Sequence, residues 1–251
     1  MKHYASSLRR MAVCEWQLRA QARPSGFLWS LLQPTLTFLV LSFVFTRWLG
    51  PSTPDYRARL LIGVLQWGFF SGCTTYGLTS IVRRAPILRN FAMPLEIPVL
   101  AAVASTAATH LIEMTLLCAY LAACGYRLQA RWLLALPAEA ALIALSAGAS
   151  LVLAWAAALY RDVERIWAIA VWVGFFLTPV FYDPSLLAVG RRAVLRLNPL
   201  TPVLGFTRAA LVGGAFAPGD LAGAVAFAAL LAASGLFLLR RRDDRARDLL
   251  Y

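Results

Sequence analysis

The sequence predicts an all-α integral membrane protein with six transmembrane helices, and three observations carry that expectation. Of the 251 residues, 60% are hydrophobic and only 14% are charged, against roughly 25% charged in an ordinary soluble domain. Six segments are apolar over about the 20 residues that a helix needs to cross a hydrocarbon core about 30 Å thick. The arginines collect in the gaps between those segments. This composition excludes a disordered chain, which needs low hydrophobicity, and leaves too few polar residues to cover a soluble surface. The 24 Lys+Arg against 12 Asp+Glu give a net charge of +12. In a soluble chain that balance points to nucleic acid; here membrane topology accounts for it, and no nucleic-acid partner is expected.

The elements follow in order, within one expected domain over 1–251. Residues 2–22 mix Leu8, Met11, Val13, Trp16 and Leu18 with Arg9, Arg10, Gln17 and Arg19, the pattern of an amphipathic helix lying at the cytoplasmic interface within 1–27. The expected spans are 28–47, 60–82, 97–124, 132–159, 165–182 and 220–239. The third and fourth are long enough to tilt. The fifth is short and runs into Thr178-Pro179, where proline breaks or kinks a helix. Residues 183–219 form the longest loop. It carries Asn198-Pro199-Leu200-Thr201-Pro202, then a helical pattern of Val203, Leu204, Phe206, Ala209, Ala210 and Leu211. That stretch is too short to span and predicts a short re-entrant helix dipping in from the outer face.

With both termini cytoplasmic, segments 1–27, 83–94, 160–165 and 240–251 hold 15 of the 24 basic residues, the bias the positive-inside rule requires. The chain is thus expected to be multi-pass, with 240–251 a cytoplasmic tail. No cleavable signal peptide is expected, because the first 27 residues are basic and interrupted. The cysteines Cys14, Cys73, Cys118 and Cys124 form no Cys-x-x-Cys pair, so no metal site is expected.

A charge at the bilayer centre costs about 2.5–3.5 kcal/mol on insertion scales. The third span carries His110 and Glu113, three apart and so on one helix face; the fourth carries Glu139. Either they hydrogen-bond to hold helices together, or they form a polar wall for a substrate. Aromatic residues are dense at Trp167, Trp172, Phe175, Phe176, Phe181 and Tyr182. Such faces can face lipid or contact a substrate.

Five stretches, in order, carry a resemblance. They are Gly26–Pro34 (GFLWSLLQP), Gly63–Ser71 (GVLQWGFFS), Ala85–Glu96 (APILRNFAMPLE), Tyr160-Arg161-Asp162 with Phe175–Tyr182 (FFLTPVFY), and Leu197–Pro202 (LNPLTP) with Arg208 downstream. Together they resemble the membrane (permease) subunit of ABC-2-type ATP-driven exporters, in the branch exporting lipid-linked polysaccharides such as O-antigen and teichoic acid. Ala85, Leu95 and Gly205 depart from the family's usual Gln or Asn, basic and acidic residues at those places.

The resemblance implies a homodimer served by two copies of an ABC ATPase subunit, in the cytoplasmic (inner) membrane of a bacterium. The chain itself is expected to be no enzyme, with no catalytic residues and no bound cofactor. Its one lysine, Lys2, excludes a Gly-x-x-x-x-Gly-Lys-Ser/Thr phosphate loop, so ATP and Mg belong on the partner. The resemblance makes Arg83, Arg84, Ile87, Leu88, Arg89 and Phe91 candidates for ATPase coupling, where sequence alone reads a basic turn. It makes Phe175, Phe176, Phe181 and Tyr182, with His110 and Glu113, candidates for the substrate pathway. Arg23 could meet a lipid phosphate, or only snorkel to ordinary lipid. Asn198, Pro199 and Arg208 could gate the exit, or only cap and turn the chain. The competing functions are export of a small hydrophobic drug or lipid, and a membrane enzyme that modifies a polyprenyl lipid. The enzyme would need catalytic acids or histidines near an interface, and only His3 and His110 exist.

Overall fold

The computed structural model describes residues 2–21, 26–49, 55–90, 93–184, 195 and 197–241. Among the described residues it is all helix, with no strand. The helices are α1 (Lys2–Gln21), α2 (Gly26–Leu49), α3 (Tyr56–Arg83), α4 (Ala85–Asn90), α5 (Glu96–Ala123), α6 (Ala135–Leu159), α7 (Val163–Leu177), α8 (Leu200–Leu211) and α9 (Pro218–Arg241). A 3-10 turn, Ala130–Leu134, leads into α6.

Among the described residues three helices are long and apolar enough to cross a membrane: Glu96–Ala123, Ala130–Leu159 and Pro218–Arg241. α2 adds a shorter apolar stretch, Leu32–Thr46. α3 has the length, at 28 residues, but Gln66, Thr74, Thr75, Tyr76, Thr79 and Ser80 dilute its apolarity. α7 has only 15 residues, about 22 Å at the usual helical rise. The expected fifth span, 165–182, therefore stops short at Leu177. Thr178 is extended, and its N–H closes the helix on Gly174 O at 2.9 Å. Pro179 and Val180 then turn away from the helix axis.

α6 is the centre. One face of it, through Ala138, Leu142, Leu145 and Leu151, is buried against α3, α5, α8 and α9. These contacts are close because glycines remove the side chain where helices meet. A Cβ on Gly77 of α3 would stand 2.5 Å from Ser150 Cβ. One on Gly148 of α6 would stand 2.8 Å from Ala232 N, and one on Gly235 of α9 would stand 2.5 Å from Leu151 Cβ. Gly235→Val is expected to wedge α9 from α6 and destabilise the chain by about 1–3 kcal/mol, the usual overpacking penalty. A thermal melt of the purified protein in detergent reads this; an unchanged melting temperature would show that α9 can slide aside.

The ends of the bundle are tied separately. Beyond α5, Gly125 takes a left-handed φ of 94°, which lets Tyr126 N–H return to Leu121 O at 3.1 Å and close the helix. Tyr126 Oη donates to Asp55 Oδ1 at 2.8 Å. Burial, and then that bond, push the phenol up to about 12. At the other end Ile81, Leu88, Leu95, Val99, Leu151, Ala154 and Leu239 form a core beneath α4. There Arg240 of α9 pairs with Glu96 at 3.0 Å.

Candidate functional site: groove, coupling end and exit turn

Four helices, α2, α3, α5 and α7, enclose a groove of about 770 Å³. Hydroxyl and amide groups line it at Gln33, Thr37, Ser71, Thr106 and Thr109, and aromatic faces at Trp67, Phe69, Trp172, Phe175 and Phe176. His110 and Glu113 complete its wall. The mixture follows from helical period: α5 turns Val103, Ala107 and Met114 inward to the core and brings Thr106, Thr109 and Glu113 to the groove at spacings of three and four.

Behind the wall His110 and Glu139 meet, joined by a neutral amide, Gln66, that the sequence reading missed. His110 Nε2 lies 2.9 Å from Glu139 Oε2. Gln66 Nε2 donates to Glu139 Oε1 at 2.8 Å and to Thr207 Oγ1 at 2.7 Å. Phe69 stacks on the imidazole, ring centroids 4.3 Å apart. The cluster thus joins α3, α5, α6 and α8. A lone amide amid the apolar residues of α3 was the available signal for Gln66, since a buried polar group needs partners.

The aromatic candidates gather at the far end of α7. Phe181 sits 5.7 Å from Phe175, 6.0 Å from Phe176 and 5.2 Å from Tyr182, and Phe45 of α2 joins at 5.2 Å. Only Phe175 and Phe176 of the four candidates line the groove; Phe181 and Tyr182 border a separate small pocket beside Arg208. Trp67 seats on α7 at Gly174, where a Cβ would stand 2.9 Å from the indole.

Arg208 is buried, and its guanidinium is used up on backbone. It donates to Arg59 O at 3.0 Å, Pro179 O at 2.8 Å and Val180 O at 2.6 Å. Gly63 leaves room for it: a Cβ there would be 2.5 Å from Arg208 Nη2. Asn198 Oδ1 accepts from Leu200 N–H at 3.0 Å, holding the start of α8, and Asn198 Nδ2 donates to Thr178 Oγ1 at 2.8 Å. Pro199 precedes the first helical residue of α8. Two of the residues expected at the exit, Asn198 and Arg208, thus converge on the turn 178–180 that follows α7, while Pro199 only leads into α8.

At the end where ATPase coupling is expected, α4 is six residues long. Leu88 is turned into the chain's own core at 2% exposure, so it is unavailable to a partner; Ile87 at 37% and Val82 at 53% are the exposed apolar residues. Two of the basic candidates are also engaged within the chain. Arg83 lies over the Tyr76 ring, 3.6 Å from its centroid, and donates to Tyr76 O at 2.9 Å. Arg84 donates to the buried carboxylate of Glu15 at 2.7 Å, and Tyr76 Oη donates to the same carboxylate. Glu15, which the sequence does not single out within 2–22, fastens α1 to α3 and to Arg84 at the turn before α4. Tyr4, Ser7, Arg10 and Met11 of α1 line an adjoining cavity of about 670 Å³ together with Ile87, Met93 and Pro94. Arg23 and Phe91 lie outside the described residues, as does the side chain of Arg89.

Among the described residues no group of three His, Cys, Asp or Glu is placed to hold a metal ion. The arrangement is a lined groove on a tightly seamed bundle, with a short, partly exposed helix at one end and a pinned turn at the other.

Comparison with known proteins agrees with that architecture. Residues 7–212 match the ABC-2 type transporter family. An O-antigen export system permease protein, RfbA, of Myxococcus xanthus is 26% identical over 242 residues, covering 93% of this chain and 92% of the relative. A protein of the same name from Klebsiella pneumoniae is 24% identical over 189 residues, covering 75% of this chain and 73% of its own. With the family match extending over most of its length, this chain belongs to the ABC-2 type transporters, as a multi-pass membrane permease subunit.

Proposed function

We propose that this chain is the membrane-spanning half of an ATP-driven exporter that moves a lipid-linked polysaccharide, of O-antigen, capsule or teichoic-acid type, across the cytoplasmic membrane of a bacterium. The observation that carries the reading is the groove itself. Its hydroxyls and amide offer exchangeable hydrogen bonds, and its aromatic faces offer contact without a strong directional bond. A polymer can pass such a lining step by step without falling into a deep well. The names borne by the relatives point to the same substrate class.

In this reading the six apolar segments all span, both termini are cytoplasmic, and α8 dips in from outside. Two copies pair, so that two grooves contribute to one passage, and each copy binds one of two ATPase subunits that hold ATP and Mg. α4 is the docking element, with Ile87 its exposed anchor beside the α1 cavity. Arg23 meets the lipid phosphate, and Phe175, Phe176, His110 and Glu113 line the path. Phe181, Tyr182, Pro199 and the turn held by Asn198 and Arg208 form the exit.

The test is genetic. Deleting the gene should cause a lipid-linked glycan to accumulate inside the cell, and the intact gene should restore export. Ile87→Asp should insert normally yet lower export by about tenfold or more, the size of effect expected when one anchor of a docking surface is lost. Surface glycan that is unaltered by the deletion would overturn the reading. Full export by Ile87→Asp would overturn the docking role of α4.

A further inference from the structure

A further cavity, of about 360 Å³, lies on the other side of α7 from the groove. Trp167, Ala170, Val171 and Gly174 of α7 line it, at the spacing of one helix face. Ala168, Trp172, Phe175 and Phe176 line the groove from the nearly opposite face. α7 is thus a partition between the two. The far wall of the cavity is formed by Leu145, Ala149 and Val152 of α6, with Phe227 and Leu231 of α9. Those two helices meet closely at Gly148 and Gly235, whereas α7 touches α6 only sparsely. The cavity is the gap this leaves.

Its chemistry favours hydrocarbon over water. The polar groups at its edge are already paired: Trp167 Nε1 donates to Thr74 Oγ1 at 3.2 Å, and Asn198 Nδ2 to Thr178 Oγ1 at 2.8 Å. Water needs two to four polar partners to settle in a cavity, and an apolar one stays dry. α6 and α9 are long and apolar enough to cross a membrane. Phe227 on the rim and Leu230 beside it are exposed, so the mouth opens onto the bilayer.

Size decides between occupants. A helix about 10 Å across would fill such a volume in less than one turn. A second copy of the chain could therefore cover the mouth but not fill the interior. An apolar cavity of about 150 Å³ takes up one benzene, so this one holds roughly twice that amount of hydrocarbon. A stretch of a single alkyl chain has that bulk and is thin enough to pass between helices. The commonest source of such a chain beside these helices is a phospholipid of the bilayer.

We infer that this cavity is a binding site for one acyl chain of a membrane phospholipid, and that the bound lipid buttresses α7 from behind. α7 has no fully buried residue. A chain seated against Ala170 and Val171 adds dispersion contacts to a helix that makes few of its own. The inference does not depend on what the groove carries.

The full chain, extracted into detergent with its bilayer lipids and washed, provides the test. Native mass spectrometry should find phospholipid retained on the wild type at one per chain. Ala149→Phe places a ring in the cavity and should lower that retention about fivefold or more, because the ring takes over the chain's dispersion contacts. Loading the wild type with phospholipid brominated at mid-chain should quench its tryptophan emission, because Trp67 and Trp167 line the cavity. Ala149→Phe should lose most of that quenching. A wild type that retains no phospholipid overturns the site. So does retained lipid that leaves the emission unchanged, an isoprenoid lipid retained in its place, or equal retention by Ala149→Phe. Should Ala149→Phe fail to fold, Val152→Phe narrows the same cavity one turn further along α6, and the wild-type quenching is decisive by itself. None of these outcomes bears on the glycan path.

Discussion

Glu139→Leu is expected to destabilise the protein by about 3–5 kcal/mol, the range seen when one partner of a buried charged pair is removed. Glu139 is the acceptor for both His110 and Gln66, so its loss strands two donors on two different helices. Leucine fills most of the space but accepts nothing. Glu139→Gln retains one acceptor oxygen and should fall between the leucine variant and the wild type. Thermal melting of the purified protein measures the ordering. A leucine variant as stable as wild type would show that α3, α5 and α6 are held by apolar packing alone, and that the polar cluster exists for the groove.

The second large effect is expected at Arg208. Arg208→Met keeps the length of the side chain and withdraws its hydrogen bonds from three carbonyls, those of Arg59, Pro179 and Val180. Hydrogen bonds to a charged group are worth about 1.5–3 kcal/mol each, and even partial compensation leaves a large deficit. Arg208→Lys keeps the charge but offers a point donor in place of a planar fork, so it should rescue only part. The expected phenotype is a lower melting temperature and a turn at 178–180 that becomes open to protease, with the glycine seam between α6 and α9 intact. A methionine variant with wild-type stability would show that the turn is held from the Asn198 side.

How far the sequence foretold this arrangement depended on the range of the interaction. Apolar length marked five of the helices of the bundle to within a few residues, because a segment of that hydropathy has few alternatives. α7 was overextended, because Val180 and Phe181 look like continued span; that they follow a turn depends on Arg208, which arrives from far along the chain. Spacing put His110 and Glu113 on one face, but Gln66 looked like one more residue in an aromatic run, since its partners Glu139 and Thr207 lie 73 and 141 residues away. Leu88 could not be distinguished from Ile87, because six residues are too few for a periodic signal. Glu15 was hidden among basic neighbours, its partners Tyr76 and Arg84 lying on the other side of a whole helix.

The bundle is not equally stiff on all sides of the groove. α7 has no buried residue along its 15 positions. Its contacts are partial ones: the Trp67 indole on Gly174, a hydrogen bond from Trp167 Nε1 to Thr74 Oγ1 at 3.2 Å, the Phe70–Trp167 ring contact, and half-buried Val171 and Phe175 on the core. The opposing seam of α3, α6 and α9 is locked at Gly77, Gly148 and Gly235, where not even a methyl group fits without displacement. On the proposed reading, a cargo whose girth varies along its length needs a conduit with no fixed calibre. One compliant wall set against a rigid frame provides that: widening the bore by an ångström forfeits a few dispersion contacts on α7 and leaves the frame untouched.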